Sequence, residues 1–216
     1  TVGKHGLLVL FSLGKLVGTL YLALAIFIIG ILVPVALLAK VPLKRFAAAV
    51  KEPFLIAFST TSSEAALPKA LQNMEALGVP RPIVSFVLPL GYTFNLDGTT
   101  LYLSLAAVFV AQAAGVHMPI EKQILMLLTL MLTSKGVAAV PRASLVILAG
   151  TLATFDLPLA GVALILGVDT LMDMARTSVN VLGNCLASVV MARWEGVFEE
   201  KEIQPQAETE PAASLV

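Results

Sequence analysis

The sequence predicts an all-α membrane protein, and its composition and the lengths of its apolar segments support that prediction. Hydrophobic residues make up 58% of the 216 residues and charged residues 13%, whereas about a quarter of a soluble domain is charged. Three largely apolar segments are long enough to cross a bilayer, and two others are interrupted by polar residues near their middle. Lys plus Arg and Asp plus Glu each total 14, so no basic field exists and no nucleic-acid partner is expected.

Both ends of the chain are expected to lie outside the folded part. Residues 1–6 are interpreted as a leader from a missing N-terminal part, because the chain opens at TVGKHG with neither Met nor a signal segment. Residues 195–216 are polar, acidic and Pro-containing, which predicts a disordered tail.

The first element is a spanning helix over residues 7–39, almost wholly apolar and long enough to cross a hydrocarbon core about 30 Å thick. Pro34 predicts a kink in it. The basic residues that follow directly are Lys40, Lys44, Arg45 and Lys51. Positive charge beside a span favours the cytoplasmic side, so this helix is expected to run from outside to inside.

A re-entrant hairpin is predicted over residues 52–78. The polar sequence STTSSE leaves about a dozen apolar residues on each flank, too few to span. Thr61 and Glu64 have the Thr-x-x-Glu spacing of a capping box, which predicts a new half-helix starting at Ser62 or Ser63. The hairpin is expected to open to the cytoplasm, where the basic cluster lies.

A broken spanning helix is predicted over residues 82–115. The segment GYTFNLDGT lies at its middle, and Asn, Asp and Gly are poor helix formers. A carboxylate at the bilayer centre costs about 2.5 to 3.5 kcal/mol on insertion scales. Non-helical backbone at membrane depth is tolerated only where protein or a water-lined cavity satisfies it, so the break indicates a binding site.

The hairpin pattern repeats over residues 119–155, where SKGVAAVPRAS separates two short apolar runs and Pro141 suits the start of a half-helix. A final spanning helix follows over 157–194 and ends at the interfacial pair Arg193 and Trp194. The order of hairpin, broken span, hairpin and span is typical of inverted-repeat transporters, which bind substrate near the bilayer midplane.

The final helix carries one polar stripe. At about 100° per residue its polar groups fall within an arc of about 100°. These groups are Asp169, Asp173, Arg176, Thr177, Asn180 and Asn184. One interpretation is an internal salt bridge between Asp173 and Arg176 that only neutralises two charges, but it leaves the other hydrogen-bonding groups of that face unexplained.

The stripe also predicts a binding site for an acidic amino acid. The planar fork of Arg176 suits a carboxylate, while Asp173, which only accepts, suits an ammonium. The remaining α-carboxylate would be met by Ser63, Thr177, Asn180 and the N-termini of the half-helices.

Four motifs occur in order along the chain: TTSSEAALP, GYTFNLDGTT, SKGVAAVPRAS and DMARTSVNVLGN. With them the chain resembles the dicarboxylate/amino acid:cation symporter family, the glutamate transporter homologues, and especially its bacterial glutamate/aspartate members, from about Leu7 to Gly196. The resemblance implies a symporter rather than an enzyme, located in the plasma membrane (the bacterial inner membrane) with a cytoplasmic tail. It also implies a homotrimer assembled through the missing N-terminal half, in which this chain supplies most of a transport domain that moves through the lipid bilayer as an elevator.

The family's site residues are carried over by motif. The first hairpin opens to the cytoplasm, the second is the extracellular gate, and glutamate or aspartate binds between their tips. The implied substrate contacts are Ser63, Thr99, Asp173, Arg176, Thr177 and Asn180, with backbone contacts from Thr61, Val140 and Ser144. The implied cation contacts are Asn95, Asp97, the backbone of Gly91 and Asn180, and the side chain of Asn184.

No enzymatic cofactor is expected. Two departures from the family's patterns bear on the co-transported ion. Asn184 stands where sodium-coupled members carry Asp, and Leu103 stands where potassium-coupled animal transporters carry Glu. Both features resemble proton-coupled bacterial members, so a proton is preferred over sodium, with Asp97, Asp169 and Asp173 as the available carboxylates. Sodium, if it is transported, would use the same cation-binding residues.

Two alternatives remain open at this stage. An intramembrane aspartyl protease would pair Asp97 with Asp169 or Asp173, but Arg176 one turn from Asp173 would hold that carboxylate ionised, whereas a protease dyad shares a proton. A C4-dicarboxylate symporter of the same fold is the closer rival. Family members of that kind keep the Arg but lack the Asp at position 173, because their substrate has no amine.

Overall fold

The computed structural model describes residues 6–135 and 143–199, and the regular structure of these two stretches is entirely helical. The all-α prediction is therefore confirmed for this part of the chain. In the same residues the elements are α1 (Leu7–Phe27), a π-helical turn (Ile28–Leu32), α2 (Val33–Leu38), α3 (Leu43–Thr60), α4 (Ser63–Leu77), α5 (Arg81–Phe94), α6 (Asp97–Ala113), α7 (Ile120–Thr133), α8 (Ala143–Thr154), α9 (Ala160–Leu166) and α10 (Asp169–Trp194).

The first apolar helix runs without a break from α1 through the π-helical turn into α2, and its Val9–Leu38 segment is long and apolar enough to span a membrane. The turn lies directly before Pro34, which occupies the first turn of α2. Proline cannot donate a backbone hydrogen bond, and its ring conflicts with the carbonyl four residues earlier, so a wider turn accommodates it. The distortion predicted at Pro34 thus takes the form of a π-helical turn.

Helices α3 and α4 form the first helical hairpin. Lys69 Nζ lies 3.1 Å from Glu52 Oε2, and Asn73 Nδ2 donates to Ala49 O at 2.7 Å, so polar contacts join the two arms. The first arm begins at Leu43, earlier than residue 52, because the amphipathic pattern continues back through the basic segment.

The tip of this hairpin differs in one detail from the predicted capping box. The half-helix starts at Ser63 as predicted, but its cap is Ser62, whose hydroxyl accepts from Ala65 N at 3.2 Å. Thr61 has a left-handed backbone (φ 53°) and ends α3 instead. The chain therefore turns at Thr61, and Ser62 caps α4.

The predicted break in the second span is present. Helices α5 and α6 are separated only by Asn95 and Leu96, both with non-helical backbone angles. Together they make Arg81–Ala113, 33 residues long, the second segment of the described chain that could span a membrane.

Helices α7 and α8 pack against each other as the arms of the second hairpin. The segment that joins them includes Val140 and Pro141, which lie outside the described residues. The predictions for a half-helix start at Pro141 and for a backbone contact from Val140 therefore stay predictions.

The final helix is interrupted, which differs from the single helix predicted over 157–194. Helix α9 ends at Leu166, and α10 begins at Asp169 after a turn at Gly167 and Val168. Gly167 is a weak helix former, and Asp169 gains from the positive end of the dipole of the helix it starts.

Helix α10 is the central element, and it contacts each of α1, α3, α4, α5, α6 and α9. Its N-terminal half packs in an apolar cluster with α1, α6, α7, α8 and α9, in which Met172 is fully buried. Its C-terminal half packs in a second cluster with α2, α3, α4 and α5, in which Val189 is fully buried. The polar stripe therefore lies where the two clusters meet.

The chain after α10 returns to the first hairpin. Glu199 N donates to Gly78 O at 3.1 Å, and the guanidinium of Arg193 lies 4.3 Å from the centroid of the Phe198 ring. Residues 195–199 of the predicted disordered tail are thus placed against the end of α4, and residues 200–216 lie outside the described part.

Candidate functional site

The break between α5 and α6 is capped from α10. Asn180 Oδ1 accepts from Gly98 N at 2.8 Å and from Thr99 N at 3.4 Å, and its Nδ2 donates to Thr99 Oγ1 at 2.9 Å. The first N–H groups of any helix lack an intrahelical partner. The Asn180 side chain accepts from two of these N–H groups in α6. Two of the predicted substrate-binding residues, Thr99 and Asn180, are therefore in direct contact.

Two glycines let the broken helix approach α10 closely. A Cβ at Gly98 would meet the backbone carbonyl and Cα of Arg176, and one at Gly91 would meet the side-chain amide of Asn184. Backbone atoms cannot move aside as a flexible side chain can, so only glycine fits position 98 without a shift of a helix.

Asp173 and Arg176 form an ion pair, which was one interpretation of their spacing. Asp173 Oδ1 accepts from Arg176 Nε at 2.9 Å and from Thr177 Oγ1 at 2.9 Å. Arg176 is 3% exposed, although burial of a charged side chain is costly unless it is paired. This pair gives the centre of the stripe one cation and one anion.

A second carboxylate and an aromatic ring complete the surroundings of Arg176. Its guanidinium lies 4.0 Å from the centroid of the Tyr102 ring, and its Nη1 lies 3.9 Å from Asp169 Oδ1. Tyr102 donates its hydroxyl to the same Asp169 oxygen at 2.7 Å. Nη1 itself is buried and has no hydrogen-bond partner in the described part of the chain. A buried donor of this kind is available to a bound carboxylate, which would remove the cost of leaving it unpaired.

Tyr102 was missed by sequence reasoning. It lies three residues after Thr99 on α6, which places both residues on the same helix face. That spacing was the only signal in the sequence. It does not identify a partner for the Tyr102 ring, because the partner depends on how α6 packs against α10.

The predicted cation-binding residues lie on the other side of Asn180. The amide of Asn95 lies between Asn184 and Asp97, and in the orientation that satisfies the carboxylate its Nδ2 donates to the Asp97 oxygens at 3.0 and 3.1 Å. In that orientation the Asn95 side-chain oxygen faces the Asn184 amide at 3.0 Å. The group offers one carboxylate and several amide or carbonyl oxygens, ligands suited to a hard cation or a proton.

The remaining predicted substrate contacts come from the hairpins and are not joined to the stripe. Thr61 and Ser63 lie at the first tip, and Ser144 lies in the first turn of α8 and is 8% exposed. Within residues 6–135 and 143–199, no hydrogen bond links these side chains to α10. The first hairpin does reach α10 through Ser178, whose hydroxyl lies 3.4 Å from Phe54 O.

Two helical segments long and apolar enough to span a membrane, a capped break within the second of them and buried charges facing that break are features expected of a helical membrane transporter. A family model described as the sodium:dicarboxylate symporter family matches residues 1–194, and the chain belongs to this family. The resemblance noted in the motifs is thereby confirmed. The family consists of transporters, so the prediction that the chain is not an enzyme is confirmed as well.

Curated relatives carry related names. A Bacillus subtilis (strain 168) proton/sodium-glutamate symport protein is 52% identical over 100% of this chain and 51% of its own length. An Escherichia coli (strain K12) proton/glutamate-aspartate symporter is 46% identical over 94% of this chain and 46% of its own length. A C4-dicarboxylate transport protein of Anaeromyxobacter sp. (strain K) is 42% identical over 99% of this chain and 51% of its own length. The chain spans about half the length of these relatives.

Proposed function

We propose that the full-length protein is a symporter that carries glutamate or aspartate across the plasma membrane together with a cation. The observation that carries this proposal is Arg176, whose buried Nη1 has no hydrogen-bond partner among the described residues while its Nε is held by Asp173. In a ligand with both a carboxylate and an ammonium, the carboxylate would accept from Arg176 Nη1 and the ammonium would compensate the negative charge of Asp173. The names of relatives with 52% and 46% identity support the same substrates.

The substrate is proposed to bind to both members of the Asp173–Arg176 ion pair without breaking the bond between them. The side-chain carboxylate takes the free edge of the Arg176 fork, and the ammonium takes the Asp173 oxygen that does not hold Arg176. Thr177, Thr99 and Asn180 then border the α-carboxylate. The proposed contacts from the hairpins are Thr61, Ser63, Val140 and Ser144.

The co-transported cation is proposed to bind beside Asp97, with a proton preferred over sodium. Neutral Asn184 compensates the dehydration of a metal ion less well than a carboxylate would. A carboxyl group that must change protonation during the cycle is instead available in Asp97. The proposed cation contacts are Gly91, Asn95, Asp97, Asn180 and Asn184.

The wider arrangement is proposed from the family resemblance and the fold. Both hairpins enter and leave on one side of the bilayer, the first from the cytoplasm and the second from outside, and the tail is cytoplasmic. The half of the protein beyond this chain holds a homotrimer together, and the part described above moves against it as an elevator.

A C4-dicarboxylate symporter is the second candidate, favoured by the 42% identity to a protein of that name. Arg176 would serve such a substrate equally well. Asp173 would not, because a dicarboxylate has no ammonium to pair with it and would meet a like charge. The presence of Asp173 therefore favours the amino acid.

The test is uptake by the full-length protein in proteoliposomes with imposed proton or sodium gradients. We expect glutamate and aspartate, and not succinate, to accumulate. Arg176→Ala should weaken acidic amino acid binding by about 10- to 100-fold, because one charge-assisted contact is lost, while weak binding of small neutral amino acids persists.

The matched control for that variant is Arg81→Ala, since the Arg81 side chain is 82% exposed and remote from the stripe. Unchanged glutamate affinity in Arg176→Ala would contradict the assigned role of Arg176. Preference of the parent protein for succinate would support the second candidate.

A further inference from the structure

An open groove lies where the end of α2 meets the end of α10, far along α10 from the Arg176 site. Its volume is about 460 Å³, within the range of roughly 300 to 1,000 Å³ that is usual for ligand sites. The lining residues are Leu38, Ala39, Lys40, Val190, Arg193 and Trp194. The groove thus combines two cations with apolar and aromatic walls.

Lys40 occupies a backbone position that favours glycine. Its φ is 54°, and the turn it forms is closed by a hydrogen bond from Val41 N to Ala36 O at 2.8 Å. Glycine is the usual residue at such a helix C-terminus, because a side chain is strained there. A strained residue persists where its side chain serves a purpose, which directs attention to the ammonium of Lys40.

Arg193 contributes the second cation, and it forms no ion pair with the described residues. Its Nε is buried without a hydrogen-bond partner among the described residues, and its guanidinium stacks on Phe198. The nearest carboxylates along the chain are those of Glu195 and Glu199. Within the described ranges neither of them forms an ion pair, and neither Lys40 nor Arg193 does so. The groove is therefore lined by two cations that form no ion pair with the described residues.

The surroundings of the groove are those of a membrane interface. Leu38 is 84% exposed and ends the Val9–Leu38 span, and Trp194 is 85% exposed. Tryptophan and basic residues concentrate at the level of lipid headgroups, where an aromatic ring meets acyl chains and cations meet phosphates. Lys44 follows in the first turn of α3 and adds to the same positive field.

We propose that this groove is a binding site for the headgroup of an anionic phospholipid. Lys40 and Arg193 bind the phosphate oxygens, and Leu38 and Trp194 contact the glycerol and the start of the acyl chains. Basic pockets between membrane helices bind anionic headgroups by this chemistry. The site is independent of the transported substrate, and inorganic phosphate would lack the contacts to Leu38 and Trp194.

The test uses the full-length protein in detergent micelles, with bound lipid counted by native mass spectrometry during titration with phosphatidylglycerol or phosphatidylcholine. We expect the parent to prefer phosphatidylglycerol. The double variant Lys40→Gly, Arg193→Gln should bind it roughly 30-fold more weakly, because two basic contacts are lost. The single variant Lys40→Gly keeps the turn with a better-suited residue, so its melting temperature in neutral lipid should equal or exceed that of the parent.

The matched control is Lys122→Gln, an exposed lysine in the first turn of α7 and outside the groove. The proposal is overturned if the parent shows no preference for phosphatidylglycerol, as it would if the other half of the protein covered the groove. It is also overturned if Lys122→Gln weakens binding as much as the double variant, or if equimolar inorganic phosphate displaces the lipid.

Discussion

At the scale of single residues, the identity of residue 184 decides how the cation side of the site treats a metal ion. The Asn184 amide packs against Gly91 and lies 3.0 Å from the Asn95 amide. An amide offers one neutral oxygen, and dehydration of sodium in a low-dielectric site is compensated far better by a carboxylate. Residue 184 is therefore the place to alter ion preference.

Asn184→Asp is expected to create or strengthen the sodium dependence of substrate binding in the full-length transporter. The reason is the added anionic ligand beside Asp97. The measurement is substrate affinity across a sodium titration at fixed pH and across a pH series without sodium. Gln72→Glu, at an exposed position of α4, is the matched control. A parent protein that depends steeply on sodium and not on pH would contradict the preference for a proton.

Tyr102 and Tyr92 offer a matched test of the network around Arg176. Tyr102 donates to the buried Asp169, whereas the Tyr92 hydroxyl is buried with no partner among the described residues. Tyr102→Phe should lower the free energy of unfolding by about 1.5 to 3 kcal/mol, the usual contribution of a hydrogen bond to a charged group. Tyr92→Phe should leave it nearly unchanged. Melting of both variants in the same detergent measures the difference, and equal losses would show that the Tyr102 bond contributes nothing of its own.

The residues of the stripe were predictable because helical periodicity alone places them on one face of α10. The Asp173–Arg176 ion pair was one of the two interpretations that the spacing of the stripe allowed. The roles of Tyr102 and Gly98 were not predictable in this way, because each depends on which face of α6 meets α10. That contact is between helices distant in sequence, and no local pattern encodes it.

At the scale of helices, the break in the second span depends on support from α10. The free N–H groups that start α6 bond to Asn180, and Gly98 lets the two backbones meet. This break was predictable because Asn, Asp and Gly interrupt an apolar segment. The break at Gly167 and Val168 was not, because one glycine in an apolar run is a weak signal.

Gly98→Ala should therefore separate α6 from α10 and disturb the site. Its Cβ would press on the Arg176 backbone, and such overpacking costs about 1 to 3 kcal/mol. Gly18→Ala in α1 is the control, because nothing lies within 4 Å of an added Cβ there. We expect Gly98→Ala to lose substrate binding and to melt earlier, and Gly18→Ala to do neither. Equal behaviour of the two variants would rule out the close contact as the cause.

At the scale of the whole molecule, α10 is flanked by two helical hairpins that are held in different ways. The first has a capped tip at Ser62, the Lys69–Glu52 ion pair and the bond from Asn73 to Ala49 O. In the described residues of the second, the contact between α7 and α8 rests on apolar side chains such as Met126 and Leu148. Apolar packing without cross-arm hydrogen bonds lets a hairpin open at lower cost, since no polar group is left unpaired.

The second hairpin is therefore expected to be the gate that moves when substrate binds. Spin labels at Ala138 in the full-length protein should lose mobility on addition of glutamate if the second hairpin is the gate. Labels at Ala65, near the capped tip of the first hairpin, are the matched control and should change little. The measurement is the line shape of both labels with and without substrate. Equal mobility at the two positions would contradict this assignment, and a change confined to Ala65 would assign the moving gate to the first hairpin instead.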